Sequence, residues 1–217
     1  MPRHDPDQKT KQEILKTASR LFLERGFENV SIEDVVTEVN LTRGAFYHYF
    51  KSREDLFINV KTLDFNENNP FALVKEKKEL NALEKLLYVL KSDVRQRLKS
   101  DDSLKIELKK LSNNSIVTKN VMQTQVNVVA PHIEKLLVEG NQDGSTSVQY
   151  PKQTAQIISL LVSTWLNPYI FKVSFKEYED KISNLEQLGE QLGVPFIDQE
   201  MKEMLLQIGH NELDIKD

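Results

Sequence analysis

The sequence predicts an all-α protein with a small amino-terminal domain of short helices, residues 1–63, and a larger helical domain, residues 64–217. Only seven glycines and seven prolines interrupt the 217 residues, which leaves long stretches that can form helices. Wherever apolar residues recur regularly, they do so every three or four positions, which is the spacing of one helix face. No stretch of useful length alternates polar and apolar residues as a strand does.

The composition excludes several classes of site. The chain contains no cysteine, so it has no disulfides, thiolate metal sites or cysteine nucleophiles. Residues 1–13 are polar and lack the apolar segment of a secretory signal. The longest mostly apolar stretch, residues 155–166, is too short to span a bilayer. We therefore expect a cytoplasmic protein that does not enter the membrane.

The first helix is predicted to begin at Thr10 and to end at Gly26. Thr10 and Glu13 match the capping-box pattern, and a glycine after the last apolar position is a common helix stop. The apolar residues between them share one face of the helix: Ile14, Leu15, Ala18, Leu21 and Phe22.

Two more capping patterns follow in the amino-terminal domain. Ser31 with Asp34 predicts the start of a second helix, which runs to about residue 39. Ser52 with Asp55 predicts a helix that runs to about residue 63. Between them, residues 42–50 read TRGAFYHYF and predict a short third helix, so that the second helix, a turn and the third helix make a helix-turn-helix.

The third helix has two distinct faces. Phe46 and Phe50, with Leu41 before them, share an inward face and form a small core. The other face gathers residues that have no apolar reason to lie together: Arg43, Gly44, Tyr47 and His48. A glycine inside a helix costs about 1 kcal/mol relative to alanine, so Gly44 suggests that another molecule approaches closely.

A DNA duplex fits this outer face. The major groove admits a helix, and Arg43 can reach a guanine edge or a phosphate. Thr42 is placed to cap the helix and to donate its hydroxyl, and Tyr47, Tyr49 and Lys51 supply further phosphate donors. Arg53 is a weaker candidate of the same kind. The net charge of −4 does not oppose this interpretation, because residues 42–53 contain three basic residues and no acidic one.

Two longer segments carry a resemblance. They read ILKTASRLFLERGFENVSIEDVV and VNLTRGAFYHYFKSREDLF, and residues 10–63 as a whole resemble the amino-terminal DNA-binding domain of the TetR family of bacterial transcription regulators. The second segment is similar to the family pattern of a small residue, a glycine, an aromatic residue and a tyrosine before Phe-Lys. The resemblance covers about a quarter of the chain.

The resemblance implies a role for each residue of the third helix. Arg43, Gly44 and Ala45 would approach bases, and His48 would face either a base or a phosphate. The phosphate contacts would come from four residues: Thr42, Tyr47, Tyr49 and Lys51. Leu21 would belong to the core with Leu41 and the two phenylalanines.

Helical spacing continues through the larger domain. We expect helices at about residues 71–99, 102–112, 115–139, 152–167, 175–192 and 198–209. Pro131 predicts a kink or break in the third of these, and residues 140–151 predict a loop. Ser174 with Glu177 predicts the start of the fifth.

Family membership would make the chain a homodimer with a small-molecule site in the larger domain. The helices at 152–167 and 175–192 carry more apolar residues than one buried face needs, which favours a partner copy along about 152–192. The alternative is that helices of the same chain cover both sides. Candidate residues for a hydrophobic ligand are Tyr88, Met122, His132, Trp165 and Tyr169.

The sequence predicts no enzyme, cofactor or metal site. It contains no phosphate-binding loop, dinucleotide fingerprint or hydrolase motif, and its four histidines show no ligand spacing. The function that the resemblance implies is a repressor released from a palindromic operator by a ligand. The alternative is a protein-interaction module of the same fold, in which the larger domain responds to a protein partner.

Overall fold

The computed structural model describes residues 6–67, 69–99, 109 and 111–213. Within these residues every regular element is a helix, which confirms the all-α class. The chain divides into two compact units, Met1–Asn69 and Pro70–Asp217. The domain boundary expected after residue 63 falls inside a helix, because Arg53–Glu67 is continuous.

The described part of the first unit is built from four α-helices and one 3-10 turn. They are α1 (Pro6–Arg25), the 3-10 turn Phe27–Asn29, α2 (Ile32–Glu38), α3 (Arg43–Tyr49) and α4 (Arg53–Glu67). Because α1 begins at Pro6, the capping box predicted at Thr10 is wrong. Proline is favoured in a first turn, since the N–H that it lacks would have no helical partner there.

The predicted starts of α2 and α4 and the predicted end of α1 are confirmed, whereas α4 continues to Glu67, past its predicted end near residue 63. Ser31 and Asp34 form a full capping box at the start of α2. The Ser52 hydroxyl accepts a hydrogen bond from the backbone N–H of Asp55 at 3.1 Å. Gly26 follows α1 with a φ of 78°, a conformation that glycine adopts without strain.

An aromatic cluster forms the core of the first unit. The rings of Phe22, Phe27 and Phe57 lie with their centroids 4.7–5.7 Å apart. Ile14, Ala18 and Phe27 are fully inaccessible to solvent. A buried side chain of this size stabilises the fold by about 1.5–3 kcal/mol, so this cluster fixes α1 against α4.

Seven α-helices of the second unit have both ends described, and two of them continue into π-helical segments. They are α5 (Pro70–Lys75), α6 (Ala82–Leu98), α7 (Ser115–Thr124) with the π segment Gln125–Val129, α8 (Ala130–Asp143), α9 (Pro151–Leu160) with the π segment Leu161–Trp165, α10 (Phe175–Gln191) and α11 (Gln199–Glu212).

The single helix expected at 71–99 is wrong, because α5 and α6 are separate helices. The Asn81 side chain accepts from the N–H of Glu84 at 2.9 Å, and the Glu84 carboxylate accepts from the N–H of Asn81 at 2.8 Å. This capping box starts a new helix inside a stretch whose apolar spacing looked continuous. The helix expected at 102–112 lies for the most part outside the described residues.

The predicted break near Pro131 is confirmed and takes the form of a π-helical turn. Proline cannot donate to the carbonyl four residues earlier, which is that of Asn127 in the π segment. The helix that follows, α8, runs to Asp143 and so extends beyond the predicted end at 139. It ends at Gly144, whose φ is 79°.

The helices expected to face a partner copy differ in what they expose. In α10 the apolar residues Tyr178, Ile182 and Leu185 are buried within the unit, and its exposed positions are polar. In the helix at 151–165, Ile158 is buried but Ile157 is 40% exposed. Four apolar neighbours of Ile157 are only half-buried: Leu160, Leu161, Val162 and Trp165.

Candidate nucleic-acid interface and ligand cleft

The turn before α3 is built from local contacts. The N–H of Leu41 donates to the carbonyl of Val36 at 2.8 Å, and Asn40 adopts a positive φ of 53°. Asparagine tolerates this left-handed conformation better than most residues. Thr42 then caps α3, because its hydroxyl accepts from the N–H of Ala45 at 3.1 Å. The chain thus turns sharply between α2 and α3, as a helix-turn-helix requires.

The two faces of α3 are those that the sequence predicted. Phe46 and Phe50 are 0% and 1% exposed, with their ring centroids 5.6 Å apart. Leu41, expected in the same core, is half-buried. Six of the eight residues proposed to contact DNA are exposed and lie on or beside the outer face: Thr42, Arg43, Gly44, Tyr47, His48 and Lys51. Ala45 and Tyr49 are half-buried.

Gly44 is exposed and lies in open space. A Cβ atom added at this position would meet only the Thr42 hydroxyl oxygen, at 3.8 Å. Packing within the first unit therefore gives no reason for a glycine here. A glycine at this position is explained if another molecule comes close to the backbone of α3.

Carboxylates of the same unit contact the outer face of α3. Arg43 forms an ion pair with Glu33 at 3.2 Å, and both side chains are about 60% exposed. The Asp7 carboxylate accepts a hydrogen bond from the Tyr49 hydroxyl at 2.6 Å and lies 3.7 Å from Nε2 of His48. A phosphate that bound to this face of α3 would displace these carboxylates, whose contacts are exposed and therefore weak.

Arg53 has a structural position. Its Nη1 donates to the carbonyls of Phe27 and Val30 at 3.4 and 3.3 Å. Its guanidinium also lies 4.3 Å from the centroid of the Phe27 ring. These contacts hold the Arg53 side chain against the 3-10 turn. Arg53 therefore stabilises the fold next to the candidate interface.

An open cleft lies on the second unit between the π-helical segments. It has a volume of about 390 Å³ and is lined mainly by apolar side chains. Two of the five predicted ligand residues, Met122 and Trp165, line it together. Its other lining residues are Gln123, Val126, Asn127, Leu160, Leu161, Thr164 and Phe171.

The other three ligand candidates lie elsewhere. Tyr88 is 40% exposed, and the Lys77 ammonium lies 5.1 Å from its ring centroid. His132 stacks on Phe71 at 5.1 Å between centroids, and burial lowers its pKa. Burial next to the Glu212 carboxylate raises the pKa of Tyr169 to about 12.

Sequence reasoning missed most of the cleft lining. Val126 and Asn127 belong to one π-helical segment, and Leu161 and Thr164 belong to the other. An extra residue per turn changes which side chains share a face, so regular helical spacing does not group them. Pro131 was the available signal for the first segment, since it removes a helical hydrogen bond in that turn.

No metal centre accompanies either surface. Within the described part of the chain, no group of three histidine, aspartate or glutamate side chains is arranged to hold an ion. In the same part, no helix is long and apolar enough to cross a membrane.

Comparisons with known proteins identify the first unit. Residues 14–60 match the sequence profile of the family described as bacterial regulatory proteins, tetR family. The transcriptional regulator AcrR of Shigella flexneri is 35% identical over 92 residues, which cover 40% of this chain and 43% of AcrR. The transcriptional repressor AcnR of Corynebacterium diphtheriae is 40% identical over 48 residues, which cover 22% of this chain and 25% of AcnR. The chain spans less than half the length of the curated relatives that it matches.

A solved structure extends the likeness to most of the chain. RolR in complex with its ligand resorcinol has a TM-score of 0.62 and 19% sequence identity, covering 92% of this chain and 94% of RolR. At this identity the likeness shows a shared fold and no more. AcrR and AcnR are named as transcriptional regulators and not as enzymes.

Proposed function

The chain belongs to the tetR family of bacterial regulatory proteins through its amino-terminal domain, and we propose that it represses transcription as a ligand-released homodimer. The operator would be a palindromic DNA duplex met in the cytoplasm. The observation that carries this proposal is the arrangement of α3. Its two phenylalanines are buried, while Arg43, Gly44 and Tyr47 are exposed on one side.

Each residue proposed to contact DNA, on α3 or next to it, then has a role. Arg43 donates to a guanine edge, where a guanidinium can make two parallel hydrogen bonds. Gly44 and Ala45 allow the backbone to approach the bases, and His48 faces a base or a phosphate. The phosphate contacts come from the remaining polar residues: Thr42, Tyr47, Tyr49 and Lys51.

A second copy of the chain is proposed to cover the uncovered apolar residues of the helix at 151–165. Ile157 is 40% exposed, and the half-buried Val162, which lies outside the cleft lining, extends this surface along the helix. A twofold axis would pack this patch of one copy against the same patch of the other copy, so that both are buried. The dimer surface expected at 152–192 would then depend on α9 more than on α10, whose exposed side is polar.

The cleft between the π-helical segments is the proposed ligand site. Its volume of about 390 Å³ and its apolar lining suit a small hydrophobic molecule. RolR, which shares the fold, is known in complex with resorcinol. A ligand that prefers one of two states by about 5.5 kcal/mol moves the population from almost all bound to almost all released.

Electrophoretic mobility shift with the DNA upstream of the protein's own gene tests this proposal. We expect a shift that the same unlabelled fragment competes away and an unrelated duplex does not. Arg43→Ala should weaken it roughly tenfold or more, since one bidentate base contact contributes about 1–3 kcal/mol. The matched control is Arg95→Ala, which removes an exposed arginine from the second unit. Equal loss in both variants, or no specific shift at any salt concentration, would contradict the proposal.

A further inference from the structure

Lys181 is a buried lysine in the middle of α10. With backbone and side chain taken together, its exposed fraction is 9%, the lowest of any charged residue in the described part of the chain. Moving an ammonium group out of water costs several kcal/mol unless an opposite charge or several hydrogen bonds compensate. The position of Lys181 therefore needs a physical reason.

The contacts of Lys181 within the chain are few. Its Nζ donates one long hydrogen bond, 3.4 Å, to the backbone carbonyl of Trp165. It also lies 5.1 and 5.0 Å from the ring centroids of Trp165 and Phe171. An ammonium has three N–H donors, and within the described residues Lys181 forms no ion pair. The two aromatic rings replace only part of its lost hydration.

The surroundings of Lys181 connect it to the ligand cleft. Trp165 and Phe171 line the cleft described above, and they also line a neighbouring recess of about 690 Å³ that includes Lys181. Two carboxylates, Glu177 and Asp180, face the same recess. Asp180 is paired with Lys176 at 2.9 Å, and neither carboxylate forms an ion pair with Lys181.

We propose that Lys181 is the anion-binding group of the ligand site and that the ligand is an apolar, aromatic anion such as a carboxylate or sulfonate. Its ring system lies against Met122, Trp165 and Phe171, and its anionic group binds Nζ of Lys181. The bound anion supplies the ion pair that the buried ammonium lacks. This inference rests on the proposed function in one respect, since it takes the second unit to be the ligand-binding unit.

A simpler role for Lys181 is to cap the last carbonyls of the π-helical segment, as lysines often do at helix ends. That role predicts no difference between charged and neutral ligands. Two dyes of the same scaffold separate the two roles: 1-anilinonaphthalene-8-sulfonate is an anion, and N-phenyl-1-naphthylamine lacks the sulfonate. The chain has a single tryptophan, Trp165, so energy transfer from tryptophan detects dye that is bound in the vicinity of this site.

The experiment measures the dissociation constant of each dye by energy transfer, without DNA. Lys181→Met keeps the length of the side chain and removes the charge. We expect it to weaken binding of the sulfonate dye at least tenfold and to change binding of the neutral dye less than twofold. Lys181→Arg should restore most of the affinity, while Lys152→Met, an exposed lysine of α9, should bind as the wild type does.

Unchanged binding of the sulfonate dye to Lys181→Met would overturn the inference. So would an equal loss for both dyes, since it would indicate damage to the apolar cleft, and so would the absence of energy transfer to either dye in the wild type. Retained binding of the neutral dye shows that the variant is folded. Because DNA is absent, failure here leaves the proposed DNA-binding function untouched, and failure of the mobility shift leaves this measurement valid.

Discussion

At the scale of single residues, Tyr47 offers the cleanest test of a phosphate contact. Its ring is 49% exposed and packs edge-on against Phe46 at 5.4 Å between centroids. Tyr47→Phe keeps that packing and removes only the hydroxyl. We expect at least about tenfold weaker binding, because a hydrogen bond to a charged group contributes about 1.5–3 kcal/mol.

Fluorescence anisotropy on the operator and on an unrelated duplex distinguishes the proposed role from others. A phosphate contact carries no sequence information, so the affinity for both duplexes should fall by a similar factor. The dependence of the dissociation constant on salt should stay the same, since no charge is removed. Loss confined to the operator, or unchanged affinity, would refute the phosphate role of Tyr47.

Local residue patterns were predictable and distant partners were not. The caps at Ser31, Thr42 and Ser52 each involve residues within three positions of one another, so a local sequence pattern predicts them. The contact of Tyr49 with Asp7 joins residues 42 positions apart, and no local pattern indicates it. The sequence therefore indicated which residues of α3 are exposed but not the acidic residues that contact them.

At the scale of helices, the last helix is held by a nearly buried ion pair. Arg97 of α6 donates from Nε and Nη2 to the two carboxylate oxygens of Glu212 in α11, at 3.2 and 2.6 Å. The Glu212 side chain is 2% exposed. Burial would lower the pKa of Arg97, but the Glu212 carboxylate outweighs that effect and raises it.

We expect Glu212→Gln to lower the free energy of unfolding by about 2–4 kcal/mol, because it leaves the Arg97 charge buried without its partner. The control is Glu200→Gln, which removes an exposed carboxylate from its ion pairs with Lys91 and Arg95 and should lower the free energy of unfolding much less. Urea unfolding followed by circular dichroism measures both. Equal, small effects would show that the pair on α11 does not stabilise the unit.

Helix boundaries show why a spacing argument fails at this scale. The apolar positions from 71 to 99 fit one helix, yet the box formed by Asn81 and Glu84 starts a second one. Capping groups satisfy backbone N–H groups that apolar spacing does not register. The π-helical turns changed which side chains meet, so the sequence identified only Met122 and Trp165 of the cleft.

At the scale of the whole molecule, the proposed function requires two copies of the chain. The uncovered apolar residues around Ile157 are the feature of the second unit that a partner copy explains. Two copies of α3 related by a twofold axis would enter successive major grooves, roughly 34–36 Å apart. Ligand binding between the π-helical segments would then act by favouring a different spacing of these helices.

Hydroxyl-radical footprinting of the operator tests directly whether two copies of α3 bind it symmetrically. A symmetric dimer should protect two segments of matching pattern, related by symmetry, with centres about one helical turn apart. Adding the cognate ligand should abolish both together. A single asymmetric protected segment, or protection that spreads evenly along any duplex, would contradict a symmetric dimer that reads its site through α3.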